Sequence, residues 1–251
     1  MIAVTAEGQL QERVRELEAE LAERTRLAAE NERQLERYAA DLRETFKQER
    51  ARAQELRRSY MLTVRALASA VEARDAYTGR HAERVAEYGL RLAAAYGMQL
   101  GDHPEIEFGF LLHDVGKVAV SDRILFKRGP LTSAERLTME QHPVTGCEIV
   151  RDIEFLGAAR DVIRHHHERW DGTGYPDGLS GTAIPLSARI FAVADTLDAL
   201  TTKRPYRQAS TIAQARLIIT QASGTQFDPD VVDVFRSLPD DAIERIRLEV
   251  G

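Results

Sequence analysis

From His165 to Gly178 the chain reads HHHERWDGTGYPDG, after a separate His113-Asp114 pair and ahead of Asp195. Adjacent histidines make poor core, because a buried imidazole without a partner loses its solvation. Imidazole nitrogens and carboxylate oxygens together suit divalent metal ions. Five of the seven histidines, His81, His113, His142, His166 and His167, fall where metal ligands are expected, and Asp114 and Asp195 add carboxylates. Taken alone, His113-Asp114 reads more readily as a buried, hydrogen-bonded histidine. Its neighbours change that: the set is large enough for two ions if Asp114 bridges them, and it predicts a metal-dependent hydrolase.

The elements that must position these residues are helices. His113-Asp114 closes the apolar stretch Phe108-Gly109-Phe110-Leu111-Leu112, so a helix carries the pair into the core. Thr132-Ser133-Ala134-Glu135 is a capping box, Asp102 precedes Pro104 and Glu105, and Asp228 precedes Pro229, each marking a helix start. Strand-like alternation is nearly absent, so the fold class is all-α. Glycine, proline and polar residues concentrate at 115–131, 168–186 and 202–209, which are expected to be loops. Two of these adjoin the metal-ligand candidates.

The first part of the chain differs in kind. Between Gly8 and Gly79 there is neither glycine nor proline, and charged residues of both signs dominate, which predicts one long helix. Placing Val14, Leu21, Ala28, Leu35, Leu42 and Leu56 at heptad position a leaves Leu10, Leu17, Arg24, Asn31, Tyr38, Thr45, Arg52 and Ser59 at d. The a column is fair and the d column poor, with Glu49 interrupting the former. We expect a weak coiled-coil homodimer over residues 1–64, against the alternative of a solvated single helix, followed by a helical domain over 65–251. Such a helix suits transmission from an upstream sensor protein, although a plain dimerisation handle explains it equally well.

Composition narrows the partners. The chain has 251 residues, 43% of them hydrophobic, and a formal net charge of -6, which argues against a DNA-binding surface. The single Cys147 excludes an intramolecular disulfide, and no apolar run of membrane-spanning length or signal-peptide pattern is present. A cytoplasmic protein with no membrane contact is the expectation.

In order and spacing, several motifs between about residues 65 and 237 resemble the HD-GYP family of the HD phosphohydrolase superfamily. They are Glu72-Ala73-Arg74-Asp75-Ala76-Tyr77-Thr78-Gly79-Arg80-His81, His113-Asp114-Val115-Gly116-Lys117, Gln141-His142-Pro143 and His166-His167-Glu168. Gly174-Tyr175-Pro176, Val193-Ala194-Asp195, Arg204-Pro205-Tyr206-Arg207 and Gly224-Thr225-Gln226-Phe227-Asp228 complete them. The resemblance implies an all-α phosphodiesterase that opens cyclic di-GMP to linear pGpG and onward to GMP. It implies iron or manganese at the site, with zinc, nickel and cobalt also compatible with such ligands.

Carried over to this chain, the resemblance makes Asp114 the bridging carboxylate. His113 and Asp195 then serve one metal, and His142, His166 and His167 the other. His81 aligns with the first histidine of the superfamily's H…HD…D pattern and is expected to serve a further metal or to support a ligand. Relatives with a third metal carry a glutamate four residues before that histidine. Here the position is Tyr77, so two metals are expected. Neither His103 nor His165 is expected to bind metal. Glu168 is expected to orient an imidazole, and Asp75 and Thr78 to do similar work near His81, with helix capping the alternative for each.

Asp114 and Lys117 are the candidate catalytic residues, Lys117 meeting charge on the phosphate oxygens. Arg204 and Arg207 are candidates for a second phosphate or a guanine edge, and Tyr175 for packing on the ligand or on its own loop. The resemblance further implies that this glycine-rich loop can contact diguanylate cyclase partners. The competing expectation is a non-catalytic or activation-dependent signalling module that binds nucleotide or a partner there.

Overall fold

The computed structural model describes residues 2–74, 80–101, 103, 105–203 and 208–250, with side chains from residue 8 onward. The order of elements is α1 (Ile2–Glu72), α2 (His81–Tyr96), α3 (Glu105–Leu112), a 3-10 turn (Val115–Ala119), α4 (Asp122–Leu125) and α5 (Ser133–Met139). Then come α6 (His142–Ile149), a 3-10 turn (Glu154–Leu156), α7 (Ala159–His165) and a 3-10 turn (Gly181–Ala183). The chain closes with α8 (Leu186–Thr201), α9 (Ile212–Gln221), α10 (Pro229–Ser237) and α11 (Asp240–Val250). Among the described residues there is no strand, only an isolated bridge between Ser223 and Phe227. The all-α expectation holds, and no described helix is long and apolar enough to cross a membrane.

The chain divides into two units, Met1–Ser59 and Tyr60–Gly251, with the boundary inside α1. In the first unit the helix exposes both heptad columns, including Leu10, Val14, Leu17, Leu21, Leu35 and Leu42. Ion pairs one turn apart, Arg13–Glu16, Arg24–Glu20 and Arg52–Glu49, lace its surface. Each is fully in water and adds only a few tenths of a kcal/mol to the helix.

In the second unit α8 is the central element. Ala188, Ile190, Phe191, Val193, Ala194, Leu197 and Leu200 are all buried, as expected of a helix covered on most sides. α2 and α7 pack on α8, and α3 packs on both α2 and α7. Gly89 in α2 permits the approach of α3, since a Cβ there would lie 2.5 Å from the Phe110 ring. Phe110 in turn meets Phe191 at 5.4 Å between ring centroids. Burying each such ring contributes roughly 1.5–3 kcal/mol. Gly97, at φ 100°, stops α2 in the left-handed conformation while Met98 N–H returns to the Ala93 carbonyl.

The capping box at Thr132 and Glu135 opens α5, and Asp228 caps α10 with Pro229 in the first turn, as expected. A second capping box, Thr211 with Gln214, opens α9. Asp102 and Pro104 lie outside the described residues. The stretch 115–131 is not a plain loop, because it holds the Val115–Ala119 turn and α4. Local bonds from Lys117 N–H to Asp114 O and from Val120 N–H to Lys117 O make that turn despite its glycine.

Candidate metal centre

The centre is assembled by closely approaching backbones. α3 ends at Leu112, and Asp114 leads into the Val115–Ala119 turn. A Cβ on Gly116 would stand 1.9 Å from the His142 carbonyl oxygen and 2.6 Å from Gly146 N. Only glycine lets this turn lie against α6, whose first residue is His142. α7 delivers His166 and His167 immediately after its last residue. α8 supplies Asp195, and α2 begins with His81 after Arg80, which takes the left-handed φ of 56°.

Asp114 stands at the middle. One carboxylate oxygen, Oδ2, lies 3.0 Å from His113 Nε2 and 2.7 Å from Lys117 Nζ. The other, Oδ1, lies 3.3 Å from His142 Nε2 and 3.9 Å from His166 Nε2. Asp114, His142, His166 and His167 bring one ligand atom each to within 4.8 Å of one another, and so do His81, His113 and Asp114. Asp114 belongs to both groups, which is the geometry of a shared ligand. Asp195 lies outside these tight groups but faces them across His81, with Oδ1 3.5 Å from His81 Nε2.

Three imidazoles are aimed by their own backbone. The Nδ1–H groups of His113, His142 and His166 donate to the carbonyls of Phe110, Met139 and Ile163 at 2.9, 2.8 and 3.0 Å. A carbonyl cannot donate, so each Nδ1 carries the proton and Nε2, facing inward, is the nitrogen left to bind a metal. His142 Nε2 and His166 Nε2 stand 3.2 Å apart, beside an Asp114 Oδ1 that is buried and accepts no hydrogen bond. Lone pairs concentrated this way are satisfied by a cation, so the residues present fit a divalent metal.

The electrostatics agree. Burial acts to raise the Asp114 pKa, but Lys117 and then His113 hold it well below the ordinary carboxylate range. Burial, followed by His167, pushes His166 well below an ordinary imidazole, and burial with His142 lowers His167 to about 3. The carboxylate stays charged and these rings stay neutral, the forms that ligate metal.

Tyr175 stacks on His167 at 4.7 Å, with its N–H donating to the His167 carbonyl. Gly174 makes that fold-back possible, because a Cβ there would meet Arg169 N at 2.5 Å. The loop is pinned from both sides. Trp170 and Asp171 N–H groups donate to the Gln226 and Thr225 carbonyls, so the Gly224–Asp228 motif holds the glycine-rich one. The Tyr175-Pro176 peptide is cis.

Glu168 differs from expectation. Its carboxylate accepts from the backbone N–H groups of Asp177 and Leu179 at 2.8 and 3.1 Å, and His165 Nδ1 is 4.0 Å away. It braces the loop, because two loop amides claim its oxygens, rather than orienting a ligand imidazole. Against the expectation of no metal role, His165 falls in a third candidate ligand group with Glu168 and Asp177, 3.5 Å from the latter and apart from the Asp114 groups, while the exposed His103 pairs with Glu105. Asp75, Tyr77, Thr78, Arg204 and Arg207 lie outside the described residues.

Sequence reasoning missed Asp198 and Arg84. Asp198 Oδ2 lies 2.7 Å from His81 Nδ1, and Arg84 Nε donates to Asp198 Oδ1 at 2.7 Å. Each sits three residues after a ligand candidate on the same helix, Asp195 and His81 respectively. That one-turn spacing was the available signal.

The HD domain family matches residues 33–231, and the chain belongs to that family. It is 43% identical over 170 residues to 3′3′-cGAMP-specific phosphodiesterase 2 of Vibrio cholerae, covering 67% of this chain and 33% of the relative. It is 40% identical over 180 residues to a cyclic di-GMP phosphodiesterase of Thermotoga maritima, covering 71% of this chain and 49% of the relative. The chain thus spans between a third and a half of these relatives. A crystal structure of a cyclic GMP-AMP specific phosphodiesterase of V. cholerae shares the fold, with a TM-score of 0.55 at 22% identity, over 73% of this chain and 53% of that one.

Proposed function

We propose that residues 65–251 form a metal-dependent phosphodiesterase that hydrolyses cyclic di-GMP to linear pGpG and onward to GMP. The observation that carries this reading is Asp114, whose two oxygens face two separate groups of imidazoles. Two divalent ions, iron or manganese in preference to zinc, nickel or cobalt, would neutralise phosphodiester oxygens and lower the pKa of an attacking water.

In this reading His113 and Asp195 would hold one ion, His142, His166 and His167 would hold the other, and Asp114 would serve both. His81 faces the first of these positions. Lys117, already beside Asp114, brings positive charge to the non-bridging phosphate oxygens, where charge grows in the transition state. Tyr175 forms a wall at His167 against which the nucleotide packs, and Arg204 and Arg207 contact its second phosphate or base. The pinned glycine-rich loop is a candidate surface for a cyclase partner.

The same site also suits 3′3′-cGAMP, a reading favoured by the name of the relative from V. cholerae. Phosphate-directed groups do not distinguish the bases. Incubating the chain with each dinucleotide, alone and in competition, and separating products by chromatography tests this. Preferential loss of cyclic di-GMP supports the proposal, and preferential loss of 3′3′-cGAMP replaces it with the second reading.

We further propose that residues 1–64 pair with a second copy in a coiled coil, receiving input from an upstream sensor in the cytoplasm. The exposed columns around Leu17, Leu21 and Leu35 support this. Sedimentation of the whole chain should give a dimer that Leu21→Glu with Leu35→Glu converts to monomer. A wild-type monomer at all concentrations rules it out.

A further inference from the structure

His81 is aimed differently from the other candidate ligands. His113, His142 and His166 each use a backbone carbonyl three residues back, whereas His81, at the first position of α2, turns Nδ1 onto a buried carboxylate. That carboxylate, Asp198, is 1% exposed and is gripped by the buried Arg84, through Nε to Oδ1 at 2.7 Å and Nη2 to Oδ2 at 3.1 Å. The Thr202 hydroxyl donates to Oδ1 at 3.2 Å. The guanidinium grips both oxygens in a two-point pairing, the geometry of a carboxylate anion. An anionic carboxylate accepts only, which leaves His81 to donate from Nδ1.

We infer that Asp198, held by Arg84, is a positioning residue that fixes the tautomer of His81, keeping the proton on Nδ1 and the Nε2 lone pair toward Asp195 and Asp114. Nε2 lies 3.5 Å from Asp195 Oδ1, and His81 shares a ligand group with His113 and Asp114. The role resembles that of the carboxylate behind a metal-bound or catalytic histidine, which sets which nitrogen is available. It extends to Arg84. Without that guanidinium, the buried carboxylate would be an unpaired charge.

The inference rests on the reading that this cluster binds metal, but its primary test does not need metal or turnover. Asp198→Asn preserves shape and removes the charge. Arg84 Nε keeps the amide oxygen at its 2.7 Å position, so the amide NH2 faces His81 Nδ1. The ring must then accept at Nδ1 and carry its proton on Nε2.

Imidazole 15N NMR of the metal-free full chain, taken upward in pH until the ring shifts stop changing, reads this directly. The wild type should show His81 protonated at Nδ1, and Asp198→Asn should show it at Nε2, with His113, His142 and His166 unchanged. Metal affinity should fall about tenfold or more in the variant. An Nε2-protonated His81 in the wild type overturns the inference without any variant, should Asp198→Asn fail to fold. So does a folded variant whose His81 keeps its proton on Nδ1, or one whose metal affinity equals that of the wild type. Correct tautomers in a protein that hydrolyses no dinucleotide would instead count against the phosphodiesterase reading alone.

Discussion

Gly116 and His142 are in backbone contact, so close that a Cβ on Gly116 would stand 1.9 Å from the His142 carbonyl oxygen. This contact sets the separation between Asp114, two residues before Gly116, and the His142 ring. Sequence, packing and site geometry meet here.

Gly116→Ala should therefore damage site and fold together. The added methyl faces backbone atoms that cannot rotate away, so the turn must separate from α6. We expect a loss of about 1–3 kcal/mol in stability, the usual cost of overpacking, with weaker metal binding. Denaturant unfolding and metal titration measure the two effects. An unchanged protein would mean that the turn is not seated on α6 as described.

Chelation should lower stability without dismantling the domain. The rings of His113, His142 and His166 are held by backbone carbonyls, so the site is formed before an ion arrives. Metal at a hundredfold excess over its Kd would add about 2.7 kcal/mol. For a chain of this size, that corresponds to a Tm change of about 5–10 °C. Circular dichroism should show the same helix content before and after chelation, and loss of helix would contradict a preformed site.

The pH response of the metal-free protein follows from His167. Burial and then His142 lower its pKa from 6.5 to about 3. Between those values the unfolded chain binds a proton that the folded chain does not, so stability falls as pH falls through this window. Above pH 6.5 the contribution is fully present. In thermal melts with chelator, the Tm of the wild type should fall more steeply over this range than that of His167→Asn. Parallel curves would show that the His167 ring is not shielded from protonation.

Much of the fold was legible because it is written locally. The long N-terminal helix follows from the lack of glycine and proline between Gly8 and Gly79, and the Thr132 and Asp228 caps from side chains that satisfy free amides. Less legible were features made by long-range contact. Glu168 stands beside two histidines in sequence, yet it folds toward Asp177 and Leu179 because their amides are closer in space. Asp198 reads as one more residue of α8 until α2 lays His81 and Arg84 against it. The stretch after Lys117 looks like loop because its short helices are held by a few local bonds that hydrophobic periodicity does not report.

The most direct test of the central claim is hydrolysis of cyclic di-GMP by the anaerobically purified chain, with bound metal measured on the same preparation. Asp114→Ala and His103→Ala serve as variants. The account predicts conversion to the linear dinucleotide with about two ions per chain, a loss of at least about 100-fold in Asp114→Ala, and wild-type rates in His103→Ala. Normal turnover in Asp114→Ala, or full metal occupancy with no hydrolysis of any cyclic dinucleotide, would contradict it.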